Sequence, residues 1–76
     1  MNVVYTKDNC PYCVKAKALL KSYGIAYAET VIGKDITREE FLDIFPTAKT
    51  VPQIILDGER IGGYSEVQTY LERQTK

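Results

Sequence analysis

The sequence predicts an α/β domain with the element order β-α-β-α-β-β-α, a four-stranded mixed sheet flanked by three helices. Three observations predict it. A strand, a helix and a strand follow one another between Val3 and Thr30, which suggests a parallel βαβ unit. Thr37 and Glu40 form a Thr-x-x-Glu capping box, the start of a second helix. Asp57-Gly58, between two short strand-like segments, is a favoured hairpin turn. With 76 residues the chain has room for one domain, spanning 1–76, with a single compact core and short loops.

Val3, Val4 and Tyr5 form an apolar run suited to a buried strand, followed by the loop Thr6–Asn9. A helix begins near Cys10 and Pro11, because proline at the first helical position lacks only an N–H that would have had no intrahelical partner. Pro11–Tyr23 is rich in Ala, Leu and Lys, all good helix formers. Cys13, Ala16, Leu20 and Tyr23 recur at helical spacing and predict one apolar face; Gly24 suits a left-handed cap. Ile25–Thr30 alternates and reads as the second strand. Ile36 and Phe41 can staple the start of the second helix, Phe41, Ile44 and Phe45 share its apolar face, and Pro46 ends it. Gln53–Leu56 and Glu59–Gly62 are the hairpin strands. A last helix opens at Ser65, with Gln68 completing a capping-box pattern and Val67, Tyr70 and Leu71 facing inward; it is expected to be short.

Hydrophobic residues at 45% and charged residues at 26% are ordinary for a globular chain. The formal net charge is zero, so nucleic-acid binding through overall positive charge is not expected. Residues 1–24 carry Lys7, Lys15, Lys17 and Lys21 against Asp8 alone; the last three lysines read as a solvated helix face, while Lys7 lies just before the cysteines. No segment reaches the apolar length of a membrane span and no export signal is visible, so the expected location is cytoplasmic. In that reducing compartment a cysteine pair is better read as redox-active or metal-binding than as a structural disulfide. There is no histidine, which removes Cys–His catalysis and every His-containing metal site.

Cys10-Pro11-Tyr12-Cys13 is the central signal. A strand leads in and a helix leads out, so Cys10 lies at a helix N-terminus. Free N–H groups there can donate to its sulfur, the helix dipole adds partial positive charge, and Lys7 is close; all three favour the thiolate and predict a depressed pKa for Cys10. Cys13, on the core side, is expected to be less exposed and to act second, resolving a mixed disulfide at Cys10. A structural zinc site would normally need four ligands, and this chain offers two cysteines and no histidine, so no metal is expected.

Tyr5-Thr6-Lys7, Cys10-Pro11-Tyr12-Cys13, Thr50-Val51-Pro52 and Gly62-Gly63-Tyr64-Ser65 stand in the order and spacing of a small dithiol glutaredoxin, and nearly the whole chain resembles that family. The resemblance implies a thioredoxin-like fold and a thiol–disulfide oxidoreductase with no tightly bound cofactor and glutathione as co-substrate. It implies Cys10 as attacking thiol, Cys13 as resolving thiol and Pro52 as a cis-proline facing them. Val51 would offer its backbone to the cysteine of glutathione, with Thr50 beside it. Lys7 would meet the glycine carboxylate and Tyr12 would shelter that end, with Lys49 either a second cation there or a solvated loop lysine. Gly63, Tyr64 and Ser65 would hold the γ-glutamyl end. Tyr64 and Glu66 depart from the residues many relatives carry. The implied partners are glutathione and disulfide-containing or glutathionylated proteins, ribonucleotide reductase among the candidates, acting on a monomer. Two other readings use the same residues: a glutaredoxin-like redoxin reduced directly by thioredoxin reductase, and an iron–sulfur carrier using Cys10 with glutathione, against which Pro11 argues by stiffening the loop.

Overall fold

A computed structural model describes residues 1–74. The elements are β1 (Val3–Thr6), α1 (Pro11–Ser22), β2 (Ala28–Val31), α2 (Arg38–Ile44), β3 (Gln53–Leu56), β4 (Glu59–Gly62) and α3 (Tyr64–Gln74), in the expected order. The sheet order is β2-β1-β3-β4. β1 and β2 run parallel, with Val3 opposite Ala28 and Thr6 opposite Val31; β3 is antiparallel to both β1 and β4.

Alternation along the strands divides the core between the two sheet faces. Val4, Ile54 and Leu56 pack with Ala16 and Leu20 of α1 and Val67 and Leu71 of α3. Tyr5 points the other way and packs with Phe41 and Phe45, supported by Val3, Ile36 and Ile55. The three rings form a tilted cluster with centroid separations of 5.3 to 5.8 Å, a range in which aromatic pairs attract. The capping box of α2 is complete: Glu40 N–H donates to Thr37 Oγ1 at 3.0 Å and Thr37 N–H donates to Glu40 Oε1 at 2.8 Å. Asp57 and Gly58 adopt φ of +53° and +79°, the signature of the expected two-residue turn.

Four expectations are corrected. The second strand is Ala28–Val31, not Ile25–Thr30. Helix α1 ends in a Schellman motif, in which Gly24 N–H bonds to the Lys21 carbonyl and Ile25 N–H to the Leu20 carbonyl, both at 3.0 Å. Ile25 is thereby tied to the helix, and the chain joins β1 only where Ala28 N–H reaches the Asn2 carbonyl at 2.9 Å. Ile25 and Tyr27 still pack on the core, so the alternation was real but belongs to the connection. Tyr23 caps α1 and is exposed, and Ile44 is exposed where α2 runs out. The last helix begins at Tyr64, so Ser65 is inside it and no Ser65–Gln68 box forms. Val67 N–H bonds to the Gly63 carbonyl at 3.0 Å and Glu66 Oε1 accepts from Gly63 N–H at 2.9 Å, which makes Gly63 the cap.

Candidate active site

The loop from β1 to α1 turns at Asn9, whose φ is +57°. The next residue, Cys10, is extended (φ −119°, ψ 100°) and caps α1. Its Sγ accepts from Cys13 N–H at 3.2 Å, and Val14 N–H bonds to its carbonyl at 3.3 Å, the first bond of the helix. Pro11 occupies the first turn. Cys10 and Cys13 are joined as a disulfide with their Cα atoms 5.2 Å apart. Cys10 is half-buried and Cys13 is 2% exposed, the order of accessibility expected from the helix geometry.

Across from the cysteines lies the α2–β3 loop. The Val51–Pro52 peptide bond is cis, and the Val51 carbonyl oxygen is 3.7 Å from Cys10 Sγ. A cleft of about 440 Å³ runs from here to the start of α3 and is lined by Tyr12, Thr50, Val51, Pro52, Gly63, Tyr64, Ser65 and Glu66. Seven of the eight residues that the sequence associates with glutathione thus line one cleft. The rings of Tyr12 and Tyr64 are 5.9 Å apart, and Lys15 Nζ lies 4.9 Å from the centre of the Tyr12 ring. Tyr12 is nonetheless 57% exposed.

Lys7 is the eighth residue and lies elsewhere. It lines a second, smaller cleft with Arg38 and Lys49 on the other flank of Thr50 and Val51. This cleft carries three cations and no carboxylate, so it suits an anionic group. Arg38, the first residue of α2, was not anticipated; nothing in its spacing relates it to the cysteines.

A third cleft touches both cysteines, together with Thr6, Lys7, Asp8, Lys17 and Glu29. Thr6 is 2% exposed and donates its hydroxyl to Glu29 Oε2 at 2.8 Å. Lys17, expected to be a solvated helix lysine, donates to the same oxygen at 3.0 Å. The Thr6 hydrogen bond first, and the Lys17 hydrogen bond and charge with it, hold the Glu29 carboxyl below its ordinary range against the opposing effects of burial and of Asp35. Sequence reasoning missed this group. Its one available signal was that Lys17 follows Cys13 by four residues and therefore shares its helix face. Asp8 pairs with Lys34 at 3.6 Å across an exposed surface.

Among the described residues no three His, Cys, Asp or Glu side chains are grouped to hold a metal ion, and no helix is long and apolar enough to cross a membrane.

The glutaredoxin family model matches residues 2–61. Glutaredoxin 3 of Escherichia coli strain K12 is 41% identical over 64 residues, covering 84% of this chain and 77% of the relative. Among solved structures, glutaredoxin 1 from Francisella tularensis complexed with cacodylate superposes with a TM-score of 0.82 at 34% identity, covering 97% of this chain and 94% of that one. The buckwheat glutaredoxin–glutathione complex superposes with a TM-score of 0.80 at 26% identity, covering 96% of this chain and 69% of that one. The fold is thioredoxin-like.

Proposed function

The chain belongs to the glutaredoxin family of thiol–disulfide oxidoreductases, and on that footing we propose that it reduces protein disulfides and glutathione mixed disulfides at the expense of glutathione. The observation that carries this reading is the cleft beside Cys10, in which Tyr12, Thr50, Val51, Pro52, Gly63, Tyr64 and Ser65 are gathered from three separate parts of the chain. A relative of the same fold forms a glutathione complex.

In the reduced protein, Cys10 is the nucleophile. The Cys13 N–H aimed at its sulfur and the positive end of α1 favour the thiolate. Cys10 Sγ attacks one sulfur of the substrate disulfide, and the other leaves as a thiolate. Cys13 Sγ then attacks Cys10 Sγ, expels the reduced substrate and leaves the Cys10–Cys13 disulfide. One glutathione thiolate attacks Cys10 and frees Cys13; a second attacks the glutathione sulfur of that mixed disulfide, frees Cys10 and departs as glutathione disulfide. In the bound peptide, Val51 pairs backbone to backbone with the cysteine of glutathione. Lys7 and its neighbours attract the glycine carboxylate, and the free N–H groups at the start of α3 receive the γ-glutamyl carboxylate.

The test is a glutathione-coupled disulfide reduction assay. Cys10→Ser abolishes all activity; Cys13→Ser retains deglutathionylation and loses two-thiol reduction. Full activity in Cys10→Ser would refute the assigned nucleophile. Failure of the oxidised protein to react with millimolar glutathione, combined with reduction by a thioredoxin reductase alone, would replace glutathione as the reductant.

A further inference from the structure

Taking Cys13 as the resolving thiol, which rests on the function proposed above, we propose that Glu29, held by Thr6 and Lys17, accepts the proton that Cys13 sheds in the second half-reaction. The need arises from burial. Cys13 is 2% exposed, and desolvation favours its thiol over its thiolate, so its attack on the mixed disulfide requires an outlet for a proton. The cleft on the Tyr12 side is a poor outlet. It is the side the substrate occupies, and its one carboxylate, Glu66, is already bound to Gly63 N–H at 2.9 Å.

The opposite cleft touches both cysteines and reaches Glu29. Glu29 Oε2 takes the hydrogen bonds of Thr6 at 2.8 Å and Lys17 at 3.0 Å, while Oε1 has no hydrogen-bond donor among the described residues. Lys17 lies one helical turn beyond Cys13 on the same face and ties Glu29 to that turn at 3.0 Å. The other charges around Glu29 are accounted for. Asp8, also lining the cleft, is paired with Lys34 at 3.6 Å, and Asp35, which opposes ionisation of Glu29, receives Val31 N–H at 2.8 Å. Lys7 also lines this cleft. Glu29 therefore remains ionised at neutral pH, with Oε1 open to the cleft.

In this step the Cys13 Sγ–Cys10 Sγ bond forms and the bond from Cys10 Sγ to the substrate sulfur breaks. The electron pair leaves on the substrate sulfur, which is reduced as Cys13 is oxidised. The Cys13 proton passes through solvent in the cleft to Glu29 Oε1 and then to bulk. Glu29 and Lys17 act through Cys13 and make no contact with substrate, so both are positioning residues.

The experiment mixes the reduced protein with excess oxidised glutathione and follows two phases by acid quench and mass spectrometry: the Cys10 mixed disulfide, then its conversion to the Cys10–Cys13 disulfide. Glu29→Gln leaves the first phase in place and slows the second by about 10²-fold, the low end for a positioned base. Lys17→Met, which keeps the carboxylate but removes its ion pair, moves the acid limb of the second phase to higher pH; loss of packing alone would lower the rate without moving that limb. A second phase at the parent rate in Glu29→Gln, or an unmoved limb in Lys17→Met, overturns the proposal. Absence of the first phase in the parent protein rejects the underlying function instead, and Cys13→Ser, which shows the first phase alone, keeps the two failures apart.

Discussion

Gly62 and Gly63 are neighbours in sequence, yet replacing each by alanine should fail in a different way. Gly62 ends β4 opposite Ile54, just after a register shift that pairs Ile55 with Arg60. Its φ is +127°, and a Cβ there would stand 3.0 Å from Glu66 Cγ and 3.1 Å from Glu66 Cβ. Holding an L side chain in such a conformation costs about 1–3 kcal/mol. A chain of 76 residues has an unfolding entropy of about 0.16 kcal/mol per kelvin at its midpoint, taking about 2.1 cal/mol/K per residue. Gly62→Ala should therefore lower Tm by about 6–19 K. Gly63 needs no left-handed backbone. Its Cβ would meet Glu66 Oε1 at 3.1 Å and the Pro52 carbonyl at 3.4 Å. The first of these is the end of a flexible side chain that can rotate away, at the loss of one hydrogen bond of about 1 kcal/mol, or about 6 K. The added methyl, however, stands in the cleft assigned to glutathione. Gly63→Ala should raise KM for glutathione with little change in kcat, and Gly62→Ala should unfold early while its folded fraction binds normally. Thermal unfolding by circular dichroism and the glutathione-coupled assay read the two effects separately. A Gly62→Ala protein melting within about 2 K of the parent, or a Gly63→Ala protein less stable than Gly62→Ala, would refute the division of roles.

Three further outcomes are expected. Asn9 turns the chain into the cysteine loop at φ +57°, so Asn9→Val should destabilise by about 1–2 kcal/mol in urea unfolding while Asn9→Gly stays near neutral; equal losses would show that the Asn side chain, not its backbone, is needed. Thr37→Ala removes the acceptor of Glu40 N–H and should cost about 1 kcal/mol, since the seven-residue α2 is too short to be helical alone; no change in the urea midpoint would count against the cap. Glu29 has a folded pKa lowered from the ordinary 4.5, so its contribution to stability is complete above that value and is lost as pH falls through the lower folded one. Unfolding of the parent measured from neutral pH into acid should show this loss and Thr6→Val should show less of it; parallel curves would disprove the linkage.

Much of this molecule was legible in the chain because its local signals are independent of distant packing. The Thr37–Glu40 box, the Asp57-Gly58 turn, Pro11 at a helix start and Gly24 past a helix end each depend on a few adjacent residues, and each is found where the sequence places it. Errors arose where two local solutions competed. Ser65 and Gln68 carry a capping-box pattern, but Gly63 with Glu66 caps the helix two residues earlier, and a glycine cap leaves no side-chain signal to read. Ile25–Tyr27 alternates like a strand because it packs on the core, while its backbone is held by α1. At the site, Cys10 and Cys13 were visible from a four-residue pattern. Thr6, Lys17 and Glu29 were not, because their meeting depends on the parallel register of β1 and β2, which no local motif encodes.

Strand direction is what assembles the site. β1, β2 and β4 finish at one edge of the sheet, where β3 begins: Thr6 is opposite Val31, Tyr5 opposite Gln53 and Ile54 opposite Gly62. The loops that carry Cys10, Pro52 and Gly63 must therefore meet there, although more than fifty residues of chain separate the first from the last. The other edge is tied together by hydrogen bonds. Asn2 alone binds both connections, donating its side chain to the Ala26 carbonyl at 2.9 Å and accepting Asp57 N–H at 2.8 Å, while the Met1 carbonyl takes Gly58 N–H at 3.0 Å. A chain this small has only two thin core layers to resist fraying. Tying down the edge without cysteines by hydrogen bonds leaves the loops of the opposite edge to form the clefts around the cysteines, with a half-buried sulfur between the cleft proposed for glutathione and the cleft proposed to take the Cys13 proton.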